Sequence, residues 1–383
     1  MALKTPAQQN DRFHMLALSL ILLGGGALRF YDLDTPSLWW DEMIVPLTAR
    51  FPIQYIWDWA KSCEIHPPYF HYLIKLVLLS GQSDYCLRLL PAIGGMASIV
   101  LLYLWGKQLF SSWVGLAAAA ILAVAPLQIS LSRQVRPYTL FLALFLLSCL
   151  HLTAYLKDSR TRNLMFVAFC QLGMTALHFM GLFVLLVQNA VLMANVVSVR
   201  DWRQCGWLAC SWLVTGAGVL SVWPFLMHTM LDRKDMVGGA TLSGVMLDFA
   251  EDFLNINRFG NIPVNAVLLF LAMLGSIVAW KLGKKTALFL VSFILLPMGI
   301  IIGFKLGWHH PRYIIYMSPV LALLAAKGLD TLPGTWTKSV ACPLGICAAG
   351  VAFFISSQAQ DMYRVDSFPV QDAQYKELSL IHI

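Results

Sequence analysis

Residues 13–30, FHMLALSLILLGGGALRF, lead into Trp39-Trp40-Asp41-Glu42 and then into Glu64-Ile65-His66-Pro67-Pro68. The first stretch is apolar and close to the ~20-residue length that a helix needs to cross a bilayer. The two tryptophans favour the headgroup level, which places the adjacent carboxylates just outside the hydrocarbon. Ionisable groups at that depth are costly to retain without a use or a partner. We therefore expect a retained membrane helix followed by a reactive site at the lipid boundary.

The composition of the whole chain predicts an all-α polytopic integral membrane protein. Of its 383 residues, 58% are hydrophobic and only 12% are charged, and the mean hydropathy is +0.69. These values exceed those of ordinary soluble domains. We predict about eleven transmembrane helices, at residues 13–30, 87–106, 112–131, 138–156, 163–178, 180–197, 205–227, 262–281, 286–304, 313–330 and 339–356.

Residues 1–383 read as a single transmembrane domain with three longer polar segments, at about 31–86, 228–261 and 357–383. The short loops on the opposite side are basic, and their acids are only Asp11, Asp158, Asp201 and Asp330. The positive-inside tendency therefore predicts a cytoplasmic N-terminus and three extracytoplasmic polar segments. We expect the membrane to be a bacterial inner (cell) membrane. The net charge of +7 reflects this topology and does not indicate nucleic-acid binding.

Two of the eight cysteines, Cys63 and Cys86, fall in the first outer segment. A disulfide between them requires an oxidising compartment and a suitable geometry, which the sequence leaves open. The other cysteines lie in or beside the apolar spans, where a thiol behaves as a small apolar group. The sequence contains no zinc-type cysteine spacing and no internal repeat.

The acidic pair and the following histidine each have a structural and a functional interpretation. Asp41 or Glu42 could cap a short interfacial helix, or serve as a reactive carboxylate. Pro67 and Pro68 delay the next helix until about residues 69–79, a segment too short to span the membrane and predicted to lie beside it. His66 could be a structural hydrogen bonder, or it could contact an anion. A divalent cation bound by Asp41, Glu64 and His66 is a further hypothesis, although no complete ligand set is legible.

Three further polar clusters fall on the same predicted side of the membrane. Their sequences are Arg133-Gln134-Val135-Arg136-Pro137-Tyr138, then His178, then His309-His310-Pro311-Arg312-Tyr313. Arginine and tyrosine often anchor helix ends at the headgroups, which is the structural interpretation. Separate loops that converge on one surface are also what a single interfacial active site requires.

The ordered set of motifs resembles the C-type glycosyltransferases. The likeness is closest to the branch that includes protein O-mannosyltransferases and lipid A aminoarabinose transferases, and it covers most of the chain. The motifs are the Asp-Glu pair after the first span, the His-Pro-Pro-x-Tyr sequence before a juxtamembrane helix, Arg88 at the second span, Arg136-Pro137-Tyr138 at the fourth, His178, and Arg312-Tyr313 before Pro319.

This resemblance implies transfer of a sugar from a polyprenyl-phosphate donor to a lipid, glycan or protein acceptor at the extracytoplasmic face. Asp41 would be the general base of an inverting displacement, and Glu42 would support it. The donor phosphate and sugar would be bound by His66, Arg136 and Arg312, and by Tyr138, Tyr313, His178, His309 and His310. Related enzymes often have lysine at the position of His66, so the charge of this histidine matters.

Two other classes of protein fit parts of the pattern. A transporter or lipid flippase would perform no covalent chemistry, but its ionisable groups are expected near the middle of the spans. A non-catalytic assembly subunit would tolerate loss of Asp41. Within the transferase hypothesis, the acceptor would be recognised by the first outer segment, by residues 228–261 or by a partner protein, and the spans would form an apolar groove for the prenyl chain.

Overall fold

The structure, a computed structural model, describes residues 6–35, 37–64, 66–199, 202–232, 243, 246, 262–304, 312–335 and 337–355. All the regular secondary structure of these residues is helical. The helices are α1 (Pro6–Phe30), α2 (Trp40–Ala49), α3 (Ile53–Ser62), α4 (Tyr69–Val77), α5 (Asp84–Leu109), α6 (Ser112–Val124), α7 (Pro126–Ser132), α8 (Tyr138–Asp158), α9 (Thr161–Leu177), α10 (Gly181–Val199), α11 (Trp202–Asp232), α12 (Ile262–Leu282), α13 (Lys284–Gly303), α14 (Met317–Leu329) and α15 (Ala341–Ile355).

The predicted all-α membrane architecture is confirmed, whereas the count of eleven spans is not. Seven of the described helices are long and apolar enough to cross a bilayer, and an eighth span results if α6 and α7 are taken together. Helices α9, α14 and α15 coincide with predicted spans but have only 17, 13 and 15 residues. A straight helix needs ~20 residues to cross the hydrocarbon, so these three fall short of that length.

A break at Pro126 divides the predicted span at residues 112–131 into α6 and α7. Ala125 has an extended backbone, with φ −65° and ψ 119°, and the two helix axes differ by 64°. Proline disfavours the helical conformation in the residue before it and lacks an N–H for the helical ladder. The break turns α7 so that it leads directly into the polar sequence at residues 133–137.

The first polar segment folds into the three short helices α2, α3 and α4. Helix α4 matches the predicted juxtamembrane helix and begins directly after Pro67 and Pro68. At the start of α2, the backbone N–H of Trp39 donates to Oε2 of Glu42 over 3.4 Å, so the Glu42 side chain satisfies the N–H of the residue that precedes the helix. At its end, Nζ of Lys75 donates to the carbonyl oxygens of Ala49 and Phe51. These contacts orient α2 relative to α4.

Interhelical hydrogen bonds connect three of the central helices in the apolar interior. Oγ of Ser148 on α8 donates to Oε1 of Gln188 on α10 over 2.8 Å, and Nε2 of Gln171 on α9 donates to the same oxygen over 3.0 Å. All three side chains are buried. Polar pairs of this kind hold membrane helices together. The bundle thus places the α7–α8 loop and the α9–α10 turn at the end where α2 lies.

All eight cysteines are free thiols, including the exposed Cys63 and the half-buried Cys86. His309 and His310 lie outside the described residues, as do nearly all of the segment 228–261 beyond Asp232 and the whole tail 357–383.

Candidate active site

Asp41 is the partly exposed carboxylate of the site. It lies in the first turn of α2, and 27% of its side-chain surface is accessible to solvent. Its Oδ2 atom lies 3.2 Å from Nη1 of Arg312 and 3.6 Å from Nη2 of Arg136. Two cations therefore hold the carboxylate in place while part of it stays accessible to a reactant.

Glu42, the next residue, has a different environment. Its side chain is buried, and its two carboxylate oxygens accept bonds of 3.1 Å from Nε and Nη2 of Arg88. Oε1 also accepts the backbone N–H of Val135 over 2.8 Å, and Oε2 accepts that of Trp39. The guanidinium of Arg88 also donates to the carbonyl oxygens of Leu33 and Ser37. Glu42 thus ties α2 to α5 and to the loop after α7.

Arg136 reaches the site from that loop. Its side chain is buried, and its guanidinium contacts two carboxylates, Asp41 and Glu64, the second at 3.9 Å. Burial by itself would lower the pKa of Arg136, but the neighbouring Tyr138, Glu64 and Asp41 raise it above its usual value. Arg136 is therefore a permanent cation at the base of the site.

Arg312 contacts the same oxygen of Asp41 from the start of the segment that leads into α14. Its Nη2 atom donates to the hydroxyl of Tyr313 over 3.4 Å, and its guanidinium carbon lies 5.2 Å from the centre of that ring. Burial lowers the pKa of Arg312, but Tyr138, Tyr313 and Asp41 more than offset this and raise it. Asp41 therefore faces a second permanent cation, one that is 18% exposed.

Beside the charged groups lies an aromatic cluster of His66, His178, Tyr138 and Tyr313. The ring centres of His66 and His178 are 4.7 Å apart, and those of His178 and Tyr313 are 5.5 Å apart. Both nitrogens of His66, Nε2 of His178 and the hydroxyl of Tyr138 are buried without a hydrogen-bond partner among the described residues. Nδ1 of His178 accepts the backbone N–H of Met180.

Both histidines of the cluster are uncharged near neutral pH. Burial, followed by the proximity of His178 and of the cations Arg136 and Arg312, holds the pKa of His66 well below its usual value. Burial and the same two arginines lower the pKa of His178 to about 3. A cation would be both desolvated and repelled here. The sequence left the charge of His66 open, and its surroundings favour the neutral ring.

The residues do not form the metal site that the sequence left open. Among the described residues, no group of three or more histidine, cysteine, aspartate or glutamate side chains is arranged to hold a metal ion. Asp41 and Glu64 instead both face the guanidinium of Arg136. A divalent cation between these two carboxylates would have to displace that arginine.

The structure thus brings seven of the predicted residues into one site, and Glu64 contacts that site through Arg136. The seven are Asp41, His66, Arg136, Tyr138, His178, Arg312 and Tyr313. Glu42 lies buried beneath them. Sequence reasoning did not assign a contact to Arg88, the partner of Glu42, or to His71, whose two buried ring nitrogens have no hydrogen-bond partner in the described part of the chain. The signal for Arg88 was a charge close to the start of an apolar span.

Comparisons with known proteins give one sequence-family match and several structures of similar fold. Residues 65–231 match the sequence family described as dolichyl-phosphate-mannose-protein mannosyltransferase, which is less than half of the chain. No curated protein gives a significant sequence match.

Solved structures of two membrane proteins share the fold. ArnT from Cupriavidus metallidurans, bound to undecaprenyl phosphate, aligns over 99% of this chain and 70% of that chain, with 16% identity and a TM-score of 0.57. Its apo form aligns over 98% of this chain and 68% of that chain, with 16% identity and a TM-score of 0.56. The second protein is the archaeal oligosaccharyltransferase AglB from Archaeoglobus fulgidus, in complex with an inhibitory peptide and a dolichol-phosphate. It aligns over 97% of this chain and 60% of that chain, with 15% identity and a TM-score of 0.57.

The predicted resemblance to C-type glycosyltransferases is therefore confirmed, and the fold is that of this class of membrane protein. The chain spans only 60% of the length of the oligosaccharyltransferase. The family match is limited to residues 65–231, and the shared fold is that of membrane-embedded glycosyltransferases.

Proposed function

We propose that this protein transfers a sugar from a polyprenyl-phosphate donor to a hydroxyl or related group of a lipid, glycan or protein acceptor. The observation that carries the proposal is the position of Asp41, a partly exposed carboxylate between the two cations Arg136 and Arg312. A base for the acceptor and positive charge for a phosphate leaving group thus lie within one contact distance. A transporter or lipid flippase performs no covalent chemistry, so it has no need of a base placed beside two cations.

In the proposed reaction Asp41 accepts the proton of the acceptor as its oxygen attacks the anomeric carbon of the donor. The new bond joins that carbon to the acceptor oxygen, and the bond to the phosphate oxygen breaks with its electron pair going to the phosphate. A single displacement from the opposite face inverts the anomeric configuration. The released lipid phosphate is already stable as an anion, so it needs charge stabilisation more than protonation.

Arg136 and Arg312 would stabilise the negative charge that grows on the phosphate. Both remain cationic, and the buried Arg136 is preorganised by Asp41 and Glu64. Charged donors in a site with little water are worth more than the same donors in solution. Guanidinium groups also match phosphate geometry through paired N–H donors.

The neighbouring aromatic cluster would contact the sugar of the donor. His66, His178 and Tyr138 offer uncharged polar groups, and Tyr313 offers a ring beside Arg312. His309 and His310 stay predicted ligands of the sugar or phosphate. Glu42 would act by positioning, because its oxygens already accept four hydrogen bonds and its side chain is buried.

The two solved structures support the donor class. The structure of ArnT contains undecaprenyl phosphate and that of AglB a dolichol-phosphate, and both share the fold of this chain. We extend that donor class to this protein and place its site at the extracytoplasmic face of a bacterial inner membrane, with the N-terminus in the cytoplasm. The charge distribution of the short loops supports this orientation.

Sugar transfer can be tested directly with the purified protein in lipid nanodiscs. A panel of radiolabelled polyprenyl-phosphate sugars is incubated with total membrane acceptors, and label is followed in lipid, glycan and protein fractions. We expect transfer by the wild type and a fall of roughly 10²- to 10⁴-fold in Asp41→Asn, which removes the base.

The matched control is Asp58→Asn, which neutralises an exposed carboxylate of the same outer segment. Asp58→Asn should transfer label like the wild type. Transfer that survives in folded Asp41→Asn would refute Asp41 as the base. A complete absence of transfer by folded wild type across the donor panel would refute the transferase itself.

A further inference from the structure

Arg29 is a buried arginine in the last turn of α1, and its neighbours are backbone oxygens. Only 1% of its surface is exposed, and no carboxylate in the described part of the chain pairs with it. Its guanidinium donates to the carbonyl oxygens of Gly25 at 3.0 Å, Ala123 at 2.8 Å and Leu122 at 3.4 Å. Its Nε atom donates to Oγ of Ser132 over 3.2 Å.

These partners lie on both sides of the α6–α7 bend. In a continuous helix the carbonyl of Leu122 would accept the N–H of residue 126, but that residue is proline and has none. The N–H of Ala125 reaches this oxygen over 3.4 Å, and Arg29 supplies a second donor to it. The positive charge of Arg29 is also favourable at the C-terminal end of α6. Through Ser132 it also holds the far end of α7. A single side chain thus connects both arms of the bend.

A second arginine makes the reciprocal connection. Arg133, the residue after Ser132, donates to the carbonyl oxygens of Tyr31 at 2.6 Å and Asp32 at 2.8 Å, just beyond α1. The end of α1 and the end of α7 are therefore bonded in both directions. Gly95 of α5 permits this close approach, because a Cβ atom there would overlap Oγ of Ser132 and lie 3.1 Å from Nε of Arg29.

The bend controls the position of the site because α7 leads into the loop that carries Arg136. The seven residues of α7 rise about 10 Å, so a change of ~10° at the bend would move its end by roughly 2 Å. Displacements of about 1 Å can cost on the order of 100-fold in rate when groups must align. The 3.6 Å contact between Arg136 and Asp41 depends on this angle.

We infer that Arg29 is a positioning residue: it fixes the α6–α7 bend and thereby holds Arg136 opposite Asp41. Its catalytic consequence rests on the proposed function, whereas its effect on the loop after α7 does not. The hydrogen-bond partners of Arg29 are Gly25, Leu122, Ala123 and Ser132, none of which belongs to the candidate site, so Arg29 acts through Ser132 and the bend. The role therefore predicts a local change in the loop as well as a change in turnover.

The test compares Arg29→Gln and Arg29→Lys with the wild type in nanodiscs by amide hydrogen exchange, without substrate. We expect exchange in residues 133–137 to rise by about tenfold or more in Arg29→Gln while α8 and α14 are unchanged. Arg29→Lys keeps the positive charge but not the several N–H donors of the guanidinium group, so we expect a smaller increase in exchange. The matched control is Arg160→Gln, since Arg160 is 66% exposed and distant from the bend in sequence.

Turnover by the folded protein is the second readout. At a temperature well below unfolding we expect kcat to fall at least tenfold in Arg29→Gln, with partial recovery in Arg29→Lys. A residue that only stabilised the fold would lower the unfolding temperature and leave loop exchange and kcat unchanged, which would overturn the inference. If the wild type shows loop protection but no transfer with any donor, the proposed function fails and the positioning role stands.

Ser132→Ala provides the decisive variant if the Arg29 variants do not fold, because it removes the contact between Arg29 and α7 and otherwise only a hydrogen bond within α7 to the carbonyl oxygen of Gln128. A rise of about threefold in exchange of residues 133–137 is expected. Unchanged exchange in folded Ser132→Ala would contradict the inference. Gly95→Ala should act in the same direction, and Gly299→Ala is its control because nothing lies within 4 Å of a Cβ at residue 299.

Discussion

Nη1 of Arg312 donates a hydrogen bond of 3.2 Å to Oδ2 of Asp41, a residue 271 positions earlier in the chain. The contact joins the first outer segment to the start of α14. A carboxylate bound by a cation on its partly exposed side keeps its orientation and remains accessible. The same cation is available to a phosphate that enters beside Asp41, so Arg312 can serve both the carboxylate and the leaving group.

Replacement of Arg312 should lower transfer more than it lowers stability. Arg312→Gln removes a cation from the path of the leaving phosphate, and we expect kcat/KM for the donor to fall by roughly 10²- to 10³-fold. Arg312→Lys should recover part of this, because lysine retains the charge without paired donors. Initial-rate kinetics with varied donor measure the effect, and Arg160→Gln is the control. Wild-type kinetics in Arg312→Gln would exclude a role at the phosphate.

The buried Glu42–Arg88 pair should be essential for stability. Glu42→Gln leaves Arg88 buried without its counter-charge, and loss of one partner of such a pair costs about 3–5 kcal/mol of the free energy of unfolding. The double variant Glu42→Gln/Arg88→Gln should be more stable than the sum of the single effects indicates, because the orphaned charge is gone.

Thermal unfolding in detergent measures this coupling between Glu42 and Arg88. The exposed pair Arg160–Asp158 serves as the comparison, because exposed ion pairs contribute little. A Glu42→Gln protein that unfolds at the wild-type temperature would contradict the positioning role of Glu42.

Buried neutral histidines should make the fold sensitive to acid. The pKa of His66 lies well below its usual value because of burial and the nearby charges, and burial with the charge of Arg136 lowers that of His71 to about 3. His178 behaves in the same way, with a pKa of about 3. In the unfolded chain these groups bind protons below about pH 6.5. Because the unfolded state then binds more protons, stability is full above pH 6.5 and declines as the pH falls below it.

The decline should be roughly 1 kcal/mol per pH unit for each of the three histidines, followed as the unfolding temperature between pH 7 and pH 5. His71→Phe should reduce the slope by about one third without a large loss of stability at pH 7, since both nitrogens of His71 lack hydrogen-bond partners in the described structure. An unfolding temperature that does not change between pH 7 and pH 5 would contradict the neutral state of these rings.

Cys63 offers a direct test of the proposed orientation. It is an exposed free thiol at the end of α3, in the segment that we place outside the cytoplasm. A membrane-impermeant maleimide added to intact cells should therefore label the wild type, and label Cys63→Ser much more weakly because the other thiol of this segment, Cys86, is half-buried. A cysteine introduced by Arg160→Cys into the Cys63→Ser background should react only after the cells are opened. The reverse pattern would establish the opposite topology.

The general architecture could be predicted because membrane insertion depends on local composition. Each apolar stretch near the required length coincides with a helix, and the polar sequence at residues 133–138 does lie beside Asp41, as expected for loops at one end of a bundle. The break within the predicted span at residues 112–131 was not expected, although Pro126 was visible. A proline can kink, break or begin a helix, and the packing partner decides which; here Arg29 supplies the donor beside the missing N–H.

The sequence by itself determined the membrane class, the approximate positions of the helices and the types of side chain gathered at one end of them, because hydropathy and charge are properties of short segments. Only the tertiary structure decided the different environments of Asp41 and Glu42. Successive helical residues point about 100° apart, so α2 turns one carboxylate toward Arg312 and solvent and the other into Arg88 and the interior. The neutral state of His66 was decided in the same way, since its pKa depends on burial and on cations that are distant in the chain.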